Sequence, residues 1–276
     1  MNLKVYGCRG SVALCHTRGS RYGGNTSCMT LESDGQMLII DAGSGIMQLE
    51  KDLRKLYPDY PINLPFAPNI LISHLHLDHL IGLPTFGLTW NNDAQMRIFT
   101  CSRDKRPLKD QIFGIFEPPY WPVSVKSLTA AECIAIQPDV PFVVGPFTIT
   151  AFMAEHPNCT LSFHITNGSK VFVHLLDSEI AAMSPDGYEH LLKYCRGADM
   201  VVSDAAYSFK DYPKHKGWGH STMEDGLRLA ADSGCKRVLY SHFSQKYSDD
   251  ELDSWAERVG NKDKYIFAQD GMEFLL

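Results

Sequence analysis

Ser73-His74-Leu75-His76-Leu77-Asp78-His79-Leu80 packs three imidazoles and a carboxylate into the six residues from His74 to His79. Neutral imidazole nitrogens suit zinc, iron, nickel or copper, and the carboxylate adds a hard oxygen donor. Alternation along an extended segment puts His74 and His76 on one side, while Asp78 and His79 follow as the chain turns. Two ligand pairs this close could serve two neighbouring ions rather than one. A chance surface cluster is the bland alternative, and the intervening leucines tell against it.

The stretch sits in a chain of 276 residues, long enough for one large domain or two small ones. With 44% hydrophobic and 21% charged residues, the composition is that of a soluble globular protein. A formal charge of −6 argues against holding long nucleic acid by phosphate neutralisation. A small anionic substrate stays open, because bound metal ions make a locally positive pocket even in an acidic protein. The eight cysteines (8, 15, 28, 101, 133, 159, 195, 235) are scattered singly with no Cys-x-x-Cys. That spacing excludes a zinc ribbon and indicates reduced thiols. No signal-peptide core opens the sequence, and no run approaches the roughly 20 apolar residues of a membrane helix. The expectation is a cytoplasmic protein without a membrane partner; a homodimer is left open.

Upstream of the histidines, Leu3–Tyr6, Ser27–Glu32 and Gln36–Ile40 read as strands, with Asp34-Gly35 as a hairpin turn between the last two. Ile46, Leu49, Leu53 and Leu56 have helical spacing. After a proline-rich loop from Pro58 to Pro68, Asn69–Ile72 is a buried strand that delivers the cluster at its carboxyl end, where open α/β sheets place their chemistry. Downstream, Phe147–Phe152, Leu161–Thr166 and Lys170–Leu176 read as consecutive strands, with Asn167-Gly168 as a second hairpin turn. Helices are expected at Asp186–Cys195, Thr222–Ser233 and Asp249–Val259, the last two opened by capping boxes Ser221-x-x-Glu224 and Ser248-x-x-Glu251. Short strands follow at Met200–Ser203, Arg237–Tyr240, Lys264–Ala268 and Met272–Leu275. Phe113–Val125, with Glu-Pro-Pro-Tyr-Trp-Pro, is irregular. It is either a loop at the site mouth or a connector packed by Tyr120 and Trp121. With no repeat or linker, residues 1–276 read as a single domain.

Four clustered ligands do not satisfy two metals. Three further residues lie at strand ends: His156 in Ala-Glu-His-Pro, Asp177 closing Val-Phe-Val-His-Leu-Leu-Asp, and His242 after Val-Leu-Tyr-Ser. Singly, each has a dull alternative as a turn former, helix cap or satisfied polar group. His164 and His174 fall in strands as core or supporting groups, His190 in a helix, and His16 and His215 in loops. Asp41, after Leu-Ile-Ile, is expected to brace the ligand loop through backbone hydrogen bonds.

The order His-x-His-x-Asp-His, then His, Asp and His resembles the metallo-β-lactamase superfamily over practically the whole chain. The resemblance implies an α/β fold, the αββα sandwich of two mixed β-sheets flanked by helices. It implies that His74, His76 and His156 hold one metal and Asp78, His79 and His242 a second. Asp177 would bridge them together with a water or hydroxide. Two divalent ions follow, zinc foremost, with manganese or iron as alternatives. Gly219-His220-Ser221-Thr222 and Asp204 resemble the second histidine and acidic partner of the ribonuclease Z-like phosphodiesterase branch, as does Ser241-His242-Phe243-Ser244. There the histidine aids the leaving group while the carboxylate fixes its tautomer. A helix-end histidine and a turn aspartate are the plain readings of the same two residues.

Ribonuclease Z carries a long arm for tRNA between the ligands matching His156 and Asp177. Here only twenty residues separate them, reading as a tight hairpin. The chain is closer to the small cyclic-phosphodiesterase members, although it lacks the cysteine cluster for the phosphonate-pathway enzyme's extra structural zinc. Gly7-Cys8-Arg9-Gly10-Ser11 and Arg21-Tyr22-Gly23-Gly24-Asn25-Thr26-Ser27 resemble an uncharacterised bacterial group of such hydrolases. Arg9, Arg21 and Asn25 would reach an anionic substrate, pair with Asp41 or cap the sheet.

The expected function is a binuclear metal-dependent hydrolase of a small or cyclic phosphodiester. Asp78 would accept a proton from the nucleophile, and His220, held by Asp204, would assist the departing oxygen. Opening of a lactone, thioester or β-lactam by the same metal set is the alternative, and a non-catalytic binding protein on a hydrolase scaffold is a second.

Overall fold

Apolar strand runs alternate with amphipathic helices along the chain. The computed structural model describes residues 1–15, 20–124 and 131–276 and gathers the long strands into two seven-stranded sheets. The chain begins β1 (Asn2–Gly7), β2 (Arg9–Gly10), β3 (Cys28–Ser33), β4 (Gln36–Ile40), α1 (Ile46–Leu56), β5 (Asn69–Leu71) and α2 (Leu77–Leu80). It continues through β6 (Met96–Thr100), α3 (Leu108–Phe113), β7 (Ala131–Ala135), β8 (Pro141–Val144), β9 (Phe147–Met153), β10 (Leu161–Thr166) and β11 (Val171–Leu175). It ends α4 (Pro185–Cys195), β12 (Met200–Asp204), α5 (Met223–Ser233), β13 (Val238–Ser241), β14 (Phe243–Ser244), α6 (Asp249–Val259), β15 (Tyr265–Phe267) and β16 (Glu273–Leu275).

The first sheet runs β16-β1-β3-β4-β5-β6-β7 and the second β15-β13-β12-β11-β10-β9-β8. This is the expected sandwich of mixed sheets with helices outside. In β4, Leu38 and Ile40 join the core shared by the two sheets, while Met37 and Ile39 face the layer of α1 and α3. A strand covered on both faces reads as a continuous apolar run, as Met37-Leu-Ile-Ile does. Among α1's apolar positions Ile46, Leu49 and Leu53 are buried, whereas Leu56 ends the helix in solvent.

Each sheet pivots on a hairpin. β3 and β4 pair antiparallel over Asp34-Gly35, whose left-handed φ values of 49° and 71° suit a tight turn. β10 and β11 pair antiparallel around Asn167-Gly168, with the Asn167 carboxamide oxygen accepting the Lys170 N–H. Beyond each hairpin the sheet becomes parallel, β4-β5-β6-β7 in one and β11-β12-β13-β15 in the other. Parallel strands deliver their carboxyl ends together, which is what a ligand site at a sheet edge requires.

Three expectations change. Helix α5 is capped one residue later than the motif indicated: Thr222 and Asp225 form the box, not Ser221 and Glu224. Ser221 is occupied elsewhere, its hydroxyl donating to the Ser178 carbonyl and accepting the Ile180 N–H, and Glu224 turns toward Arg258. The Ser248–Glu251 box forms as read. In the proline-rich connector, Phe113 closes α3 and the chain then turns irregularly to Ser124; Val125 lies outside the described residues, as does His16. Trp121 packs edge-on against Phe116 at 5.8 Å, but Tyr120 is 83% exposed. No described residue of this connector lines the histidine cavity. Among the described residues no helix is long and apolar enough to cross a membrane.

The cap position is testable. Asp225→Ala is expected to destabilise the protein by about 1 kcal/mol in urea unfolding, and Glu224→Ala by less than half of that. Equal losses would return the cap to Ser221.

Candidate metal centre

Five parallel-strand ends converge here. Asp41 follows β4, His74 lies three residues past β5, Asp177 two past β11, Asp204 ends β12 and His242 follows β13. His76 is still extended (φ −69°, ψ 152°) and caps the single helical turn of α2, which carries Asp78 and His79 round toward the others. Asp41, Asp177 and His242 all have left-handed φ, at 60°, 51° and 64°. Such conformations cost of order 1–3 kcal/mol each for a non-glycine residue and persist only where the surroundings enforce them.

Three overlapping groups result, each with ligand atoms all within 4.8 Å of one another: His74, His76, His156 and Asp177, then Asp78, His79 and His242, and also Asp177, Asp204, His220 and His242. The Asp177 carboxylate joins them. Its Oδ1 lies 3.8 Å from His74 Nε2, while Oδ2 lies 3.1 Å from His79 Nε2 and 3.2 Å from His242 Nε2. Despite these approaches Asp177 Oδ2 has no hydrogen-bond partner, and neither has His74 Nε2. Buried polar atoms are seldom left so. His242 Nε2 lies 3.2 Å from Asp78 Oδ2 and 3.3 Å from His79 Nε2, so these inward-facing atoms and the two unpartnered ones crowd round a shared point.

The outer nitrogens explain the aim. His79 Nδ1 donates to Asp41 Oδ2 at 2.8 Å, and His156 Nδ1 to the Gly219 carbonyl at 3.0 Å; both oxygens can only accept, so each Nε2 is left bare. Ser73 Oγ donates to Asp41 Oδ2 and is thereby turned to accept from His74 Nδ1 at 3.1 Å. Asp41 also accepts the Ser73 N–H, the brace expected from sequence. The Asn158 Nδ2 amide group donates to His76 Nε2 at 2.5 Å, and His76 Nδ1 faces His156 Nε2 at 3.4 Å.

Charge completes the fit. Asp41, Asp78, Asp177 and Asp204 are 0%, 7%, 1% and 1% exposed, and among the described residues no lysine or arginine pairs with any of them. Burial drives His74 well below its usual pKa and lowers His76 and His156. In His79 and His242 burial also opposes charge, but the surrounding carboxylates win and raise them. Burial likewise works against Asp78 and Asp177, yet the neighbouring imidazoles hold both far below the carboxylate range. Two carboxylates held ionised among clustered imidazoles form a group able to bind a cation.

Beside it, His220 Nδ1 donates to Asp204 Oδ2 at 2.9 Å. Burial opposes its charge, but Asp204, then Asp177 and Asp78, raise its pKa to about 9 before any bound cation is counted. The His220 ring stacks on His242 at 5.1 Å. A cavity of about 570 Å³ opens over the cluster, lined by Ser11, His76, Asp78, His156, Asp177, Trp218 and His220 among others.

Arg9, Arg21 and Asn25 are not in it. Arg9 is 1% exposed, its guanidinium bound to the Gly23 and Tyr247 carbonyls and to Asp249. Arg21 pairs with Asp250 and Asp253, and Asn25 donates to Asp270. Their polar groups tie the opening segment to α6 and the Asp270 turn, not to Asp41 or an anion. The segment reaches the site through the Ser11 N–H, which donates to Asp78 Oδ2 at 2.7 Å, and through Gly10, where a Cβ would fall 2.4 Å from His242 Nδ1.

Glu179 went unread. It is buried, and its carboxylate accepts the N–H groups of Gly217 and Gly219 and the Tyr212 hydroxyl at 2.7–2.9 Å. Burial opposes ionisation, but these donors outweigh it and lower its pKa. Gly219, held this way at φ 85°, presents the carbonyl that orients His156, and a Cβ there would fall 1.9 Å from His156 Nδ1.

The Beta-lactamase superfamily domain matches residues 36–243. The chain belongs to the metallo-β-lactamase superfamily, in its ribonuclease Z-like branch, and is a metallo-hydrolase with a histidine–aspartate cluster able to bind metal ions. The probable metallo-hydrolase YhfI of Bacillus subtilis is 25% identical over 270 residues, covering 95% of this chain and 94% of that protein. Its crystal structure superposes with a TM-score of 0.71 at 22% identity, over 99% of this chain and 98% of that one. Ribonuclease Z of Bradyrhizobium diazoefficiens is 23% identical over 287 residues, covering 85% and 89% of the two chains. A diphosphatase from the PhnP family matches with a TM-score of 0.70 at 14% identity, over 100% of this chain and 97% of that one.

Glu179→Gln replaces a pure acceptor by a group that turns an N–H toward Gly217 or Gly219. Metal affinity in a chelator competition is expected to fall about tenfold while the far-ultraviolet circular dichroism stays native. Unchanged affinity would reduce Glu179 to a loop anchor.

Proposed function

We propose that the protein is a binuclear metal-dependent phosphodiesterase acting on a small or cyclic diester. His74, His76 and His156 would hold one cation, Asp78, His79 and His242 the other, with Asp177 between them. The two oxygens of Asp177 facing different ligand sets support this division. So does charge: two divalent ions offset four buried carboxylates with the imidazoles left neutral. Zinc suits a site of this make-up, and manganese or iron would be tolerated. Bound there, the cations supply Lewis-acid charge toward the diester oxygens and lower the pKa of a water.

The observation that carries the phosphodiester reading is the Asp204–His220 pair at 2.9 Å, lining the cavity beside the proposed ligands. Asp204 receives the Nδ1 proton and so turns Nε2 outward as the group offered to the substrate. There it donates to the departing oxygen, which needs a proton to leave as an alcohol. Asp78, steadied by the Ser11 N–H, takes the proton given up by the attacking water. Water adds to phosphorus, the P–O ester bond breaks, and a phosphomonoester and an alcohol result. Carbonyl hydrolysis at the same metals leaves the Asp204–His220 pair without this task. The net charge of −6 favours a small substrate over structured nucleic acid.

In metal-reconstituted protein, His220→Ala is expected to lower kcat on bis(p-nitrophenyl) phosphate by about 10²-fold with metal content unchanged. The deficit should grow when the leaving group is a more basic alkoxide. Lactone turnover exceeding diester turnover and indifferent to His220→Ala would overturn the proposal.

A further inference from the structure

Residues 207–218 read Tyr-Ser-Phe-Lys-Asp-Tyr-Pro-Lys-His-Lys-Gly-Trp, rings interleaved with three lysines against one acid in a chain of net negative charge. The rings form a connected series. Tyr207 stands edge-on to His220 at 5.7 Å and stacks on His215 at 4.0 Å, and Trp218 stands edge-on to His215 at 4.9 Å. Glu179 clamps the backbone on either side of Trp218 through the Gly217 and Gly219 N–H groups. The indole is thus fixed by its neighbours, yet it is 57% exposed while lining the cavity shared by His76, His156, Asp177 and His220. Leu77, 47% exposed, adds a second apolar surface to the same lining.

Single exposed aromatics are common on protein surfaces. This one differs in being pre-ordered, so stacking on it costs little further conformational entropy. A planar π-system prefers an indole over water, and it does so whatever hydrogen bonds its edge makes.

We propose that Trp218 is a specificity-determining residue whose indole stacks on a planar aromatic group carried by the phosphate ester. The inference rests on the phosphodiester reading and narrows it: aryl or nucleoside esters are favoured over alkyl or plain sugar esters.

Calorimetric titration of metal-reconstituted protein with AMP, phenyl phosphate and ribose 5-phosphate tests it. AMP is expected to bind about tenfold more tightly than ribose 5-phosphate. Trp218→Ala should erase that difference without weakening ribose 5-phosphate, and Trp218→Phe should keep most of it. A matching loss for phenyl phosphate assigns the surface to any aryl ring; a loss confined to AMP assigns it to a nucleobase. Equal wild-type affinities, or one common weakening of AMP and ribose 5-phosphate in Trp218→Ala, would overturn the proposal. Should no phosphate ester bind while adenosine still binds in a Trp218-dependent way, the stacking surface stands and the phosphodiester reading falls. If adenosine also fails to bind, the stacking surface falls too.

Discussion

Four carboxylates, Asp41, Asp78, Asp177 and Asp204, buried around one histidine cluster without a lysine or arginine partner among the described residues are the constraint on which the rest depends. Leaving such a set uncompensated costs several kcal/mol per ion. The remedies are protonation of the histidines or cations among them. Burial lowers His74, His76 and His156, so protonation is opposed on one side of the cluster. His79 and His242, wedged between carboxylates, are raised and act as stand-in cations on the other. A folded chain with this interior is therefore incomplete in charge, and the geometry that remains frustrated as hydrogen bonding becomes coherent as coordination.

The sandwich makes that concentration of charge attainable. Asp41 and Asp177 occupy comparable places in the two halves, each just past the second strand of a hairpin and each with left-handed φ. One uses its carboxylate outward, to hold Ser73 and the far nitrogen of His79. The other turns it inward, between the two ligand sets. A similar turn thus serves once as a brace and once as a proposed ligand. Close backbone packing is needed for both to meet: a Cβ on Gly43 would lie 2.1 Å from the Asp78 carbonyl, so only glycine lets the chain after Asp41 approach α2.

Much of this was legible in sequence because the proposed ligands either cluster within six residues or end apolar runs that announce strands. His156, Asp177 and His242 are readable for the second reason. Between Ile81 and Phe113 the 3-10 turns, β6 and the short α3 went unread, as did the half-exposed β7 and the edge strand β8 starting at Pro141. Glu179 was invisible for a different reason: two of its three partners are backbone N–H groups, and those carry no residue code. Arg9 misled because its glycine-rich surroundings suggest an open anion cradle. Its acidic partner Asp249 lies 240 residues away, and only the fold brings the two together.

The short hairpin between His156 and Asp177 shifts the burden of substrate grip. β10 and β11 occupy that interval, and their pairing leaves a turn too tight to reach over the cavity. The described part of the opening segment is spent largely on its own ion pairs and lends the Ser11 N–H and the close approach of Gly10. Of the elements bordering the cavity, the 207–218 loop offers an exposed indole, and it is bound to the cluster twice. Through Glu179 and Gly219 it sets the His156 ring, and through Tyr207 it packs on His220. A group settling against this loop would press on a proposed ligand and on the proposed acid at once. Recognition and chemistry then share one rigid piece, and selectivity for the bound group would be expressed in kcat as well as in affinity.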